Sequence, residues 1–226
     1  MSIAENIEKV KANLPDNVRL VAVSKTMPAE FLMEAYNCGQ RAFGENKVQE
    51  MAWKYEELPK NIEWHFIGHL QTNKIKYIAP FVHLIHGVDS FKLLKSIDAE
   101  AKKAGRIIPC LLQFHIAEEE TKFGLSIQEA SEMLNSDEYK LLRNIQISGV
   151  MGMATYTDDE NQIRKEFASL RKRFEKIKSD FFTDNPNFRE ISMGMSGDYL
   201  IAISEGSTLV RIGSTIFGER NYNTKL

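Results

Sequence analysis

Short apolar runs, each followed by a turn and then by an amphipathic stretch, recur eight times along this chain, and that alternation constrains the fold more than any single motif. The first run is Val18-Arg19-Leu20-Val21-Ala22-Val23-Ser24, followed by Lys25-Thr26-Met27-Pro28. A valine-rich run of this kind reads as a buried parallel strand. Pro28 suits a first helical position, because its missing N–H would be unpaired there anyway. Further strands are predicted at 41–43, 63–67, 82–86, 107–114, 145–151, 189–193 and 208–212. Helical spacing fills the gaps. Phe31, Leu32, Ala35 and Tyr36 share a face before Gly39, and 48–58 and 72–78 are also helical. Phe91, Leu94, Ile97 and Ala101 follow a Ser90 cap, and Ser126 with Glu129 forms a capping box. Ile163, Phe167, Leu170, Phe174, Ile177 and Phe181 mark the longest helix, and 199–204 is helical as well. Another helix, with Ile3, Ile7, Val10 and Leu14, precedes the first strand. Eight βα units in 226 residues predict one α/β domain spanning 1–226, a (β/α)8 TIM barrel with an extra N-terminal helix, rather than an open doubly wound sheet. A Rossmann fold would place glycines after the first strand, and none stands there.

Composition narrows the function. A formal charge of −2 and a pI near 6.2 offer no broad basic face for nucleic acid. No apolar stretch is long enough to cross a membrane, and the opening Met1-Ser2-Ile3-Ala4-Glu5-Asn6 lacks the basic start and apolar core of a signal peptide. Cys38 and Cys110 are expected to be reduced and mostly buried thiols. A cytoplasmic location follows as an expectation. The long helix stripe is accounted for by packing on the sheet, so a monomer is expected.

In a barrel, strand ends project into one pocket. The residues placed there are Lys25, Asn46, His65, Met151, Met153, Ser192, Ser196, Arg211, Gly213 and Ser214. They form two groups. Lys25 closes the first strand; a desolvated amine in a pocket attacks carbonyls and forms a Schiff base, and the alternatives are a solvated lysine after a strand or a point charge that binds phosphate. The second group is the tail, Ser192-Met193-Gly194-Met195-Ser196-Gly197-Asp198 and then 206–214. Each half runs from a strand end through a small-residue turn to a helix start, and barrels recurrently hold phosphate after strands seven and eight. Together the groups point to a phosphorylated carbonyl compound. Pyridoxal 5′-phosphate (PLP) carries both functions, and Arg211 could donate to its ring nitrogen.

Ala22-Val23-Ser24-Lys25, Phe43-Gly44-Glu45-Asn46 through Gln49-Glu50, the run from Trp64-His65-Phe66-Ile67-Gly68-His69 to Asn73-Lys74, and Ser192-Met193-Gly194-Met195-Ser196 with 206–218 closely resemble the pyridoxal-phosphate homeostasis protein family, also called the proline-synthase co-transcribed protein family. The resemblance runs from about Val18 to Gly218. It implies a fold-type III barrel related to the N-terminal domain of alanine racemases. It also implies an internal aldimine on Lys25, phosphate contacts from Ser196, Gly213 and Ser214, Arg211 at the pyridine nitrogen, and Asn46 near the cofactor. Met193 and His65 lie within the matching motifs and are expected at the cofactor site. Gln113-Phe114-His115-Ile116 stands where members often have Gln-Val-Asn before a segment matching 118–122.

An arginine at the ring nitrogen cannot protonate it as a carboxylic acid would, which weakens the ring as an electron sink. Nor does the chain show room for the extra β domain of racemases. A carrier that buffers or delivers PLP, as the resemblance implies, is therefore expected, with apo PLP-dependent enzymes as the expected recipients. The alternatives are a small fold-type III enzyme such as an amino-acid racemase, with Tyr156 or His65 as second base, and an interaction barrel with a vestigial pocket. His65 and His69, and His83 and His86, straddle strands rather than sharing a helix face, so no metal is expected from either pair.

Overall fold

A computed structural model describes residues 2–118 and 123–218; part of the 118–122 segment lies outside them. Eight parallel strands close into a barrel in sequence order: β1 (Arg19–Val23), β2 (Ala42–Glu45), β3 (Glu63–Phe66), β4 (Leu84–Val88), β5 (Ile108–Gln113), β6 (Ile145–Met151), β7 (Glu190–Ser192) and β8 (Leu209–Ile212). The helices are α1 (Ile3–Ala12), α2 (Ala29–Asn37), α3 (Val48–Glu57), α4 (Phe91–Lys103), α5 (Ile127–Asn135), α6 (Asp137–Lys140), α7 (Glu160–Phe181), α8 (Tyr199–Ser204) and α9 (Ser214–Phe217). The predicted segment at 72–78 is a 3-10 turn, Thr72–Tyr77, rather than an α-helix. The caps form as expected: Ser90 accepts from the Leu93 N–H, and Ser126 and Glu129 cap each other.

The two faces of each strand divide the core. Leu20 and Ala22 of β1 face outward into a large apolar layer between barrel and helices. Val21 faces inward with Leu84, Leu111, Met151 and Leu209, which fill the barrel lumen. On the outer layer, α7 buries Ile163, Phe167, Leu170, Phe174 and Ile177 of the predicted stripe against β6 and α8, while Phe181 is only partly buried. Where β1 and β8 meet, α1 binds the ring of helices together. Its Ile3 N–H donates to Glu34 Oε1 (3.1 Å), and Asn6 Nδ2 donates to the Ile216 carbonyl (2.9 Å).

Barrel closure also demands one close backbone approach. Gly149 of β6 has φ +151°, and a Cβ there would stand 1.9 Å from the Glu190 carbonyl oxygen of β7. Of the two free thiols, Cys110 is buried but Cys38 is exposed at the end of α2, where the apolar face of that helix has run out.

Candidate functional site

Strand alternation places the site. Side chains two apart share a face, so Lys25 continues the inward series of Val21 and Val23. It emerges at the carboxyl end of the barrel, on the wall of a cavity of about 790 Å³. By the same rule Asn46 continues the series of Ala42 and Gly44, and Gly213 follows Leu209 and Arg211. Lys25, Asn46, Ser196, Arg211, Gly213 and Ser214 all line this one cavity, as does Met153.

The remaining expected residues lie elsewhere. His65 is fully buried inside the barrel and does not reach the cavity: Ile67, one inward step nearer the carboxyl end, occupies that wall instead. Met193 points the other way and packs in the outer apolar layer, because the inward positions flanking it belong to Ser192 and Gly194. Met151 fills the lumen, and Ser192 lies buried beneath Arg211. Tyr156 is at the cavity rim, with 98% of its surface exposed.

The floor is held by a buried polar chain. Arg211 donates through Nη1 to Ser192 Oγ (2.6 Å) and through Nη2 to the Gly152 carbonyl (3.1 Å). Ser192 Oγ also meets His86 Nδ1 (2.8 Å), and His86 Nε2 meets His65 Nδ1 (2.9 Å). Burial pulls Arg211 down to about 10, with Asp198 acting against it, so the guanidinium stays cationic near neutrality. Burial holds both imidazoles well below their usual value, so they are neutral there. Beside Arg211, the Gly213 N–H donates to Ser196 Oγ (3.3 Å), bringing the turns after β7 and β8 together. Asn46 Oδ1 is buried with no hydrogen-bond partner among the described residues.

A second network braces the lysine from below. Lys54, fully buried on α3, donates to Glu45 Oε1 (2.8 Å), to Glu50 Oε1 (2.7 Å) and to the Ser24 carbonyl (2.8 Å). Glu45 accepts from Ser24 Oγ (2.6 Å), and Glu50 accepts from the Thr26 N–H (2.6 Å). Both chain neighbours of Lys25 are thereby fixed. Thr26 is held at φ +66°, a left-handed conformation that costs a side-chain-bearing residue about 1–2 kcal/mol. Burial, opposed by Lys54, pushes the Glu45 carboxyl up to about 7. Sequence reading missed this brace. Its one signal is Lys54 four residues after Glu50, on the face of α3 that also carries Val48 and Met51.

The fold is a closed parallel barrel with a lysine, a buried arginine and two small-residue turns at its strand ends, and the alanine racemase N-terminal domain family matches it over residues 1–221. Over 225 residues the chain is 39% identical to the pyridoxal phosphate homeostasis protein of Aquifex aeolicus, covering 97% of this chain and 96% of that one. The chain belongs to the pyridoxal phosphate homeostasis protein family. Among solved structures it is similar to PipY of Synechococcus elongatus with PLP bound, at a TM-score of 0.85 and 34% identity, covering 96% of this chain and all of that one. It shares the fold of Bartonella henselae alanine racemase, at a TM-score of 0.71 and 16% identity, covering 98% of this chain and 60% of the enzyme.

Proposed function

We propose that this protein binds pyridoxal 5′-phosphate in the barrel cavity, tethers it to Lys25, and serves PLP homeostasis by buffering or delivering it. The observation that carries this reading is the meeting, in one cavity, of an amine, a buried cation and convergent donors from two turns. When bound, PLP supplies an aldehyde that an amine can hold reversibly and a phosphate that small-residue turns can cradle. The residues fit that group. Lys25 offers the amine, Ser196, Gly213 and Ser214 offer donors for a phosphate, and Arg211 offers a fixed cation for the ring nitrogen. Asn46 Oδ1 is a buried acceptor that lacks a donor among the described residues. The homeostasis name of the relatives and the PLP in PipY support the assignment.

Arg211 holds its proton near neutrality and donates rather than gives it up, so the site grips the ring without making it a strong electron sink. Of the two second bases a racemase would draw on, His65 lies outside the cavity and Tyr156 is exposed at its rim. Both facts favour carriage over racemisation. Among the described residues no helix is long and apolar enough to cross a membrane. We propose a cytoplasmic monomer, one domain in all, whose recipients are apo PLP-dependent enzymes.

Titration with PLP, followed by visible absorption, tests the reading. One saturable equivalent is expected in the parent protein, with the absorbing species lost in Lys25→Ala and weakened in Ser196→Ala. Incubation with L- and D-amino acids in deuterium oxide should show no catalytic α-proton exchange. Rapid Lys25-dependent exchange would establish an enzyme instead.

A further inference from the structure

Below the cavity, toward the amino-terminal end of the barrel, Glu63, His65 and His83 bring one ligand atom each to within 4.8 Å of one another. Glu63 opens β3, His65 lies inside that strand, and His83 immediately precedes β4, so the pairing of β3 with β4 brings them together. The His83 Nε2 and Glu63 Oε2 atoms are 4.0 Å apart, and the His65 and His83 ring centres 5.3 Å. A second observation points to a ligand. His65 is fully buried, its Nδ1 is committed to His86, and its Nε2 has no hydrogen-bond partner among the described residues. A buried imidazole nitrogen left unsatisfied costs free energy that a bound ion would remove.

We propose that Glu63, His65 and His83 form a binding site for a borderline divalent transition metal, Zn²⁺ above all. Two imidazole nitrogens and one carboxylate oxygen suit Zn²⁺ far better than Mg²⁺ or Ca²⁺, which take oxygen ligands. The Glu63 and His83 side chains are 40% and 45% exposed, so solvent can deliver the ion and supply a remaining ligand. The nearby cations that oppose binding are Arg19, which is engaged by Glu190 at 3.0 Å, and Arg106, which donates to the Ala79 and Val82 carbonyls (2.7 and 2.9 Å). A metal-bound histidine is ordinarily oriented by a hydrogen bond from its other nitrogen, and His86 already provides that acceptor. Metal on His65 Nε2 requires the proton on Nδ1, donated to His86 Nε2. His86 then donates from Nδ1 to Ser192 Oγ, which also accepts from Arg211. Occupancy at the barrel's lower end therefore fixes the proton order of a chain that ends in the upper cavity.

The test uses the full chain stripped by chelator, with Zn²⁺ followed by calorimetry and Co²⁺ by its visible absorption. One saturable site is expected. His83→Ala and Glu63→Gln should each weaken it by about tenfold or more, by analogy with losses around known sites, while His69→Ala leaves it unchanged. Both weakened variants alter half-exposed side chains, and circular dichroism checks that they fold. Histidine side-chain ¹⁵N NMR should report the Nδ1–H form of His65 with Zn²⁺ bound. No saturable uptake, or uptake undiminished in His83→Ala, overturns the proposal. Because metal is added without reference to PLP, that failure is separate from any failure of the PLP titration.

Discussion

Lys25 faces the cavity because of its phase on β1, two residues on from Val23; its place at the strand end was legible in the sequence, but its phase was not, because β1 is apolar on both faces. The same arithmetic explains where sequence reading erred. His65 belongs to the motif run around Ile67 but sits two residues, roughly 7 Å, deeper along the strand, below the cavity floor. Met193 fails for the complementary reason, being one residue out of phase with Ser192. Residue-scale electrostatics give a pH prediction at Glu45. Its carboxyl ionises at an ordinary 4.5 when unfolded and near 7 when folded. The folded state therefore binds the extra proton between those values. The stability contributed by this group is complete below about pH 4.5, falls as pH rises to about 7, and is level above. Glu45→Gln cannot ionise, so urea unfolding across that window should show a shallower decline than in the parent protein. An equal decline would show that Glu45 is ionised throughout.

At the scale of elements, the turn from β1 into α2 is specified by α3. Sequence reading found α3 but gave no reason to bury its lysine, since a charge on a helix ordinarily faces water. Only the fold shows Glu45, Glu50 and Lys54 closing on Ser24 and Thr26. Lys54→Met removes the cation and leaves two carboxylates against apolar neighbours. Breaking a buried ion pair from one side costs about 3–5 kcal/mol, and denaturant titration should find a loss of that size. The variant should also bind PLP less well than its residual folded fraction allows, because Lys25 loses both fixed neighbours. A loss near zero would mean that the network contributes nothing to the fold.

For the whole molecule, eight apolar runs and their intervening helices made the barrel readable, including the stripe of α7. Long-range polar pairing was not readable. His86 and Ser192 are 106 residues apart in sequence and 2.8 Å apart in space, and no local pattern announces such a contact. The cluster of Glu63, His65 and His83 was hidden likewise, because spacing along the chain suggested the wrong partners. Packing energetics at this scale centre on the layer between barrel and helices. Leu170→Ala in α7 should destabilise the protein by about 2–5 kcal/mol through the cavity it leaves, measured by urea unfolding with an unchanged slope. A loss well under 1 kcal/mol would mean that α7 is not part of the cooperative core. In the proposed function the whole architecture serves one amine, that of Lys25, as the site that tethers PLP. Borohydride reduction of the PLP-loaded protein, followed by peptide mapping, tests it most directly. The reduced cofactor is expected on the peptide containing Lys25 and on no other lysine. A label spread over surface lysines, or no label at all, would contradict it.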